Sequence, residues 1–301
     1  MSTLSALVES LRPRSWTKNL FIFAGVLFGR QWSPEAIGIT ALGALGFSLL
    51  AGSVYLVNDI ADRARDAQHP DKRSRPLASG RLSPAAAWLS AFVLASGTLS
   101  AAWLSAPRFA LVCSGYMLMQ TAYSFRLKHV VILDSLVIAM GFVLRALAGV
   151  ELAQDCGFAV EISPWLLLCT FFLAVFIAFS KRRSEVVTLG EAAGEHRAIL
   201  RDYSPHLLDE MIGIATAASI MSFAVYTVSE RTAEMVSPML WTTIPFVVYG
   251  IFRYLFLVHR RGLGGSPDRI LLSDRPLLFN ILLWILSVMA VLRYFPAKGN
   301  A

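Results

Sequence analysis

Three aspartates in the run Asn58-Asp59-Ile60-Ala61-Asp62-Arg63-Ala64-Arg65-Asp66 are spaced i, i+3 and i+7. On a helix, residues three and four apart are neighbours, so those positions stack on one face. Three carboxylates stacked there repel one another and destabilise an empty helix. A bound cation reverses the sign of that interaction. Hard oxygen ligands suit Mg²⁺, which keeps several waters and bridges to substrate phosphates. Asp59, Asp62 and Asp66 are therefore the expected metal ligands and catalytic residues. The plainer reading is a solvated helix end with Asp–Arg pairs to Arg63 and Arg65. Ionisable groups beside an apolar span more often serve function.

Downstream, His69-Pro70-Asp71-Lys72-Arg73-Ser74-Arg75-Pro76-Leu77-Ala78-Ser79-Gly80 sets basic residues between Pro and Gly turn residues. A basic loop beside a metal site can hold the remaining phosphate oxygens, Arg as a two-pronged fork and Lys as a point charge. Lys72 and Arg75 are the expected phosphate contacts, with Asn58 hydrogen-bonding beside the metal. Arg73 and Arg81 suit contacts to anionic lipid equally well.

The elements that must position these groups are apolar. Hydrophobic residues make up 56% of the 301 residues and charged residues 16%, against about 25% charged in a soluble domain. The charges are clustered, leaving apolar stretches that approach the roughly 20 residues a bilayer core requires. Nine such segments run about Trp16–Phe28, Ala36–Val57, Ala85–Leu104, Phe109–Phe125, Val131–Val150, Pro164–Phe179, Leu207–Val228, Pro238–Val258 and Pro276–Tyr294. The pattern predicts an all-α, polytopic membrane protein of nine helices, one domain over residues 1–301.

Charge placement orients it. With the N-terminus in the cytoplasm, most of the 27 Lys and Arg fall on cytoplasmic pieces. The opposite face holds only Arg30, Arg108, Arg231, Arg293 and Lys298, and Arg145 lies inside a segment. Loops enriched in Lys and Arg stay inside, so the N-terminus is expected inside and the C-terminus outside. Two cytoplasmic loops, about 58–83 and 181–206, are long and dense in charge, as functional loops often are. The net charge of +7 then reports loop topology, not nucleic-acid binding. Cys113, Cys156 and Cys169 lack metal-ligand spacing and predict neither zinc nor a disulfide. His129, His206 and His259 lack it too. The polar first residues predict no cleavable signal peptide.

The run NDIADRARD followed by HPDKRSRPLASG resembles the first Asp-rich motif and loop of the UbiA superfamily of intramembrane prenyltransferases. Further stretches resemble one branch of it, the decaprenyl-phosphate phosphoribosyltransferases. They are Arg12-Pro13-Arg14-Ser15-Trp16-Thr17-Lys18-Asn19, Ser53-Val54-Tyr55-Leu56-Val57-Asn58-Asp59, Ala122-Tyr123-Ser124-Phe125-Arg126-Leu127-Lys128-His129, Lys181-Arg182-Arg183-Ser184-Glu185 and Ser273-Asp274-Arg275. The resemblance implies a nine-helix fold and Mg²⁺. It implies transfer of phosphoribose from phosphoribosyl diphosphate to a polyprenyl phosphate in a bacterial inner membrane, with the site facing the cytoplasm. Typical prenyltransferases of the superfamily carry a second Asp-rich motif where this chain reads Lys181-Arg182-Arg183-Ser184-Glu185. More anionic substrates call for more fixed cations, so Lys181, Arg182 and Glu185 join the expected phosphate contacts. Lys18, Tyr123 and Lys128 join them through the resemblance.

Two other readings compete. One keeps the fold and moves a polyprenyl group from its diphosphate onto an aromatic or other small acceptor. The other is a lipid-phosphate transporter, which should place ionisable residues near the midplane; here nearly all lie at one face. Asp134 and Arg145, eleven residues apart in the fifth segment, fall on roughly one helix face and suit a cavity lining or a buried polar network. Homo-oligomerisation is left open.

Overall fold

Serine followed by proline precedes several of the apolar runs: Ser33-Pro34, Ser83-Pro84, Ser163-Pro164 and Ser204-Pro205. A serine hydroxyl satisfies an orphan N–H of the first turn, and proline at the first helical position lacks an N–H that would be orphaned anyway. In a computed structural model, which describes residues 3–68, 72–161, 163–190, 198–265, 270 and 273–297, each dipeptide opens a helix. Ser33, Ser83 and Ser204 accept from the N–H groups of Ala36, Ala86 and Leu207 at 3.1, 3.2 and 3.1 Å.

The helices are α1 Thr3–Ser10, α2 Ala24–Phe28, α3 Pro34–Ala61, α4 Arg63–Gln68, α5 Pro84–Ser105, α6 Pro107–Phe125, α7 Leu133–Asp155, α8 Pro164–Leu189, α9 Pro205–Val228, α10 Glu230–Met235, α11 Ile244–Arg261 and α12 Arg275–Tyr294. A 3₁₀ segment, Pro13–Phe23, joins α1 to α2. No strand occurs among the described residues. Seven helices there are long and apolar enough to cross a membrane: α3, α5, α7, α8, α9, Leu240–Arg261 and α12. Large apolar side chains such as Leu89 and Phe92 stand exposed on them, at 65% and 70%, as lipid-facing positions do.

The remaining two of the nine expected segments differ from that pattern. Trp16–Phe28 folds mainly as the 3₁₀ segment followed by the single turn and a half of α2. Phe109–Phe125 is helical within α6, but Arg108, Ser114, Gln120 and Thr121 dilute its apolar character. The two charged loops are also shorter than expected. α8 continues to Leu189 through Lys181-Arg182-Arg183-Ser184-Glu185, because Glu185 pairs back one turn to Lys181 and Arg182. It stops at Gly190, whose φ of 52° places it where a side chain would be strained. Residues 58–68 are likewise helical except for Asp62. His69, Pro70 and Asp71 of the basic motif lie outside the described residues, as do residues 191–197.

Internal packing divides the chain into two compact units, Met1–Lys128 with Leu144–Glu161, and His129–Val143 with Ile162–Ala301. In the first unit, α3, α5 and α6 pack on one another. The single residue Ala106 separates α5 from α6, so the two run antiparallel and α6 ends at the same level as α3. Phe47, Leu50, Ala110, Tyr116 and Ala148 fill the core. The 3₁₀ segment lies tightly on α7. A Cβ added at Gly149 would sit 1.8 Å from the Ile22 carbonyl oxygen, so only glycine permits that approach. Small residues at helix contacts are the usual means of packing inside a membrane. Arg145 is buried beside this contact. Its Nε donates to Asn19 Oδ1 at 2.7 Å and its Nη2 to the Tyr116 hydroxyl at 2.9 Å.

In the second unit α8 and α9 make the most extensive contact, with α11 and α12 packed alongside. Phe176, Leu208, Ile212 and Leu257 form its centre. Asp134, on the part of α7 in this unit, is fully buried and accepts from Arg182 Nε at 2.8 Å. Asp134 accepts from Arg182 in the second unit, whereas Arg145 donates to Asn19 and Tyr116 in the first.

Candidate active site

The first unit brings most of the expected groups together at the C-terminal ends of α3 and α6. A small apolar cluster forms the base: Ala6, Leu11, Leu56, Leu77, Leu82, Ala87 and Ala91. Leu77 and Leu82, each 1% exposed, anchor the basic loop directly against the helix turn that carries Asp59. Arg63 Nε donates to the Leu77 carbonyl at 3.2 Å. Arg81 fastens the loop's far end, donating to both Glu9 carboxylate oxygens at 2.7 and 2.9 Å and to the Ser74 carbonyl at 2.6 Å. The hydrogen bonds from Arg81 hold the Glu9 carboxyl below its ordinary range. Arg81 is therefore a strut of the loop.

Helix α3 does not pass uninterrupted through the Asp motif. It ends at Asp62, whose φ of −94° and ψ of 2° leave the helical region, and α4 restarts at Arg63. The three carboxylates consequently split two and one. Asp59 and Asp66 are buried, at 3% and 4% exposure. Asp59 Oδ1 and Asp66 Oδ2 converge on a single atom, Arg75 Nη1, at 3.2 and 2.7 Å. Arg12 Nη2 also donates to Asp59 Oδ1. Lys72 Nζ stands 4.0 Å from Asp66 Oδ1. Asp62 turns instead to the end of α6, where Lys128 Nζ donates to both of its oxygens at 2.8 Å; Arg65 stands 3.8 Å away.

The expected three-carboxylate stack is therefore replaced by a two-carboxylate pair. Among the described residues no three His, Cys, Asp or Glu side chains group closely enough to share one ion. The donor set still suits a hard dication. Two buried carboxylate oxygens already meet at one cationic nitrogen, and Mg²⁺ commonly takes only one or two carboxylates plus waters and phosphate oxygens. The guanidinium of Arg75 stands in for that charge. Asn58 is half-buried one residue before Asp59, and its carbonyl accepts from the Asp62 N–H at 2.9 Å. Lys18, on the 3₁₀ segment, and Tyr123, five residues before Lys128, are half-buried in this unit.

Arg12 was outside the expected set. Its signal lay in the Arg12-Pro13 pair, but nothing along the chain links it to Asp59, 47 residues away.

In the second unit, Arg182 is 4% exposed and bridges Asp134 and Glu185, reaching Glu185 Oε2 at 2.6 Å. The Tyr203 hydroxyl donates to Asp134 Oδ1 at 3.1 Å and accepts from the Ile132 N–H at 2.6 Å. Burial pushes the Tyr203 hydroxyl up to about 12. Glu185 keeps a 25% exposed side chain, and Lys181, 46% exposed, stands 4.0 Å from it. Of the three expected contacts here, Lys181 and Glu185 face outward. Arg182 orients Glu185 from within.

The UbiA prenyltransferase family model matches residues 19–271. The chain belongs to the UbiA prenyltransferase family. It is a transferase of that family and a multi-pass membrane protein. Among curated UbiA relatives, the decaprenyl-phosphate phosphoribosyltransferase of Mycobacterium tuberculosis is 33% identical over 296 residues, 97% of this chain and 95% of that one. The protein of the same name from Corynebacterium glutamicum is 30% identical over 297 residues, 96% and 87% of the two chains. A solved UbiA homologue from Archaeoglobus fulgidus, bound to GPP and Mg²⁺, superposes with a TM-score of 0.71 at 22% identity. It covers 96% of this chain and 99% of its own.

Proposed function

We propose that the protein transfers 5-phosphoribose from 5-phosphoribosyl 1-diphosphate to a polyprenyl phosphate, releasing diphosphate, in a reaction that requires Mg²⁺. The convergence of Asp59 and Asp66 on the Arg75 guanidinium, with Arg12 on Asp59, Lys72 near Asp66 and Lys128 on Asp62, carries the reading. Such a cluster suits several phosphate groups together with a metal. The near full-length similarity to proteins named decaprenyl-phosphate phosphoribosyltransferase supports the same substrates.

A divalent cation held by Asp59 and Asp66 would neutralise charge on the leaving diphosphate. Arg75, Lys72 and Lys128 of the first unit bind phosphate oxygens, and Lys18, Tyr123 and Asn58 join them as proposed phosphate contacts through the motif resemblance. Asp62 fixes the Lys128 ammonium through two hydrogen bonds. Lys181, Arg182 and Glu185 of the second unit remain proposed phosphate contacts through the motif resemblance, and within that unit Arg182 sets the position of Glu185. The attacking lipid phosphate is already an anion, so no general base is needed, in contrast with a hydroxyl nucleophile. Catalysis then consists of positioning and electrostatic stabilisation. The chain is proposed to cross a bacterial inner membrane nine times as one functional domain, with the N-terminus and the site on the cytoplasmic side, following the distribution of Lys and Arg.

Purified protein given labelled phosphoribosyl diphosphate and polyprenyl phosphate should label the lipid only with Mg²⁺ present, and Asp62→Ala should abolish labelling while the protein stays folded. If the same preparation instead moves a prenyl group from its diphosphate onto an aromatic acceptor, the substrate assignment is wrong.

A further inference from the structure

Arg12 adopts a backbone conformation that its sequence disfavours. Its φ of 53° and ψ of 61° are left-handed, which is costly for residues other than Gly, Asn and Asp. The following Pro13 further disfavours helical backbone in the residue before it. Strain of this kind persists only where the surroundings over-determine it, and it clusters at binding sites.

The surroundings here are specific. Arg12 begins the 3₁₀ segment Pro13–Phe23, eleven residues long, where runs of 3₁₀ helix seldom exceed about four. Asn19 pins that segment from the inside: it accepts from Arg145 and donates to Ser48 Oγ, both at 2.7 Å. Ile22 is locked against Gly149. The fixed segment delivers the Arg12 guanidinium over the Tyr55 ring, 4.9 Å from its centroid, and onto Asp59 Oδ1. That oxygen already receives Arg75 at 3.2 Å, so neutralising one carboxylate does not account for a second, strained arginine. The Arg12 side chain is also 29% exposed, which leaves it within reach of a ligand.

We propose that Arg12 is a further phosphate-binding residue: it holds Asp59 in the metal-free protein and passes its guanidinium to a diphosphate oxygen when a divalent cation takes its place. The inference rests on the reading of Asp59 as a metal ligand. The guanidinium fork has five N–H donors, so a small rotation exchanges a carboxylate oxygen for a phosphate oxygen while the cation stays over Tyr55.

The test uses two binding constants measured on the full chain in detergent: Mn²⁺ without substrate, by electron paramagnetic resonance, and inorganic diphosphate at saturating Mg²⁺, by calorimetry. Arg12→Gly keeps the left-handed backbone and removes the guanidinium. It should bind Mn²⁺ about three- to tenfold more tightly, because a competing cation is gone. It should bind diphosphate about tenfold more weakly, as loss of a charge-assisted hydrogen bond implies. If Arg12→Gly does not fold, Arg12→Gln carries the same two expectations. Either constant remaining at its wild-type value overturns the proposal, while wild-type Mn²⁺ binding leaves the metal reading standing. A wild-type protein that binds no Mn²⁺ removes the metal reading and this exchange with it.

Discussion

Replacing Arg182 by Met should destabilise the second unit more than any comparable surface change. Asp134 is fully buried, and the Arg182 guanidinium donates to it at 2.8 Å with only 5% of the arginine side chain exposed. Removing one member of a buried ion pair typically costs about 3–5 kcal/mol, because the remaining charge stays desolvated. Asp134→Leu should cost less than Arg182→Met, since Arg182 keeps Glu185 at 2.6 Å. The double variant Asp134→Leu/Arg182→Met removes both charges and fills the space with apolar groups, which is often neutral. It should therefore be more stable than Arg182→Met alone. Equilibrium unfolding of the three variants in mixed micelles, followed by near-ultraviolet circular dichroism, reads these differences. An Arg182→Met protein within about 1 kcal/mol of wild type, or a double variant as unstable as the two singles added together, would refute the reasoning. The latter result would mean that the pair is not coupled.

Tyr203 titrates near 12 in place of 10, so its hydroxyl stabilises the fold below pH 10, and that contribution fades as the pH rises through 12. Alkaline unfolding of Tyr203→Phe should accordingly show a shallower pH dependence than wild type over that interval, starting from a protein about 1–3 kcal/mol less stable at neutral pH. Gly149→Val drives a side chain into the Ile22 carbonyl. It should cost about 3 kcal/mol, the upper end for overpacking, and lower the detergent unfolding midpoint, whereas Gly38→Ala, with open space around it, should not. Asp274 caps α12 by accepting from the Leu277 N–H at 3.0 Å, and Arg253 holds its carboxyl below the ordinary range. Its stabilisation is present at neutral pH and is lost as the pH falls through that depressed value. Asp274→Ala should remove about 1 kcal/mol at pH 7 and flatten the acid limb of the unfolding profile.

Much of this molecule is written locally. Apolar runs of membrane length, the Ser-Pro starts and the glycines that end helices depend on neighbours a few residues away, so they can be read along the chain. The extension of α8 through Lys181-Arg182-Arg183-Ser184-Glu185 was not read along the chain, because the charge density there suggested a loop.

Which cation meets which carboxylate was not legible. Asp59 meets Arg12 across 47 residues, Asp62 meets Lys128 across 66, and Asp134 meets Arg182 across 48. Spacing along a helix assigned Asp59, Asp62 and Asp66 to one face, and Asp134 and Arg145 to another. The break of α3 at Asp62 separated that residue from the other two, whereas Asp134 and Arg145 share the continuous helix α7 and still meet different partners. Sequence determined what each segment is made of, and seven of the nine expected segments are, among the described residues, helices long and apolar enough to cross a membrane. Partner choice belonged to the tertiary structure, because buried charges pair with whatever opposite charge the packing of helices brings within about 3 Å, the distance of a charge-assisted hydrogen bond.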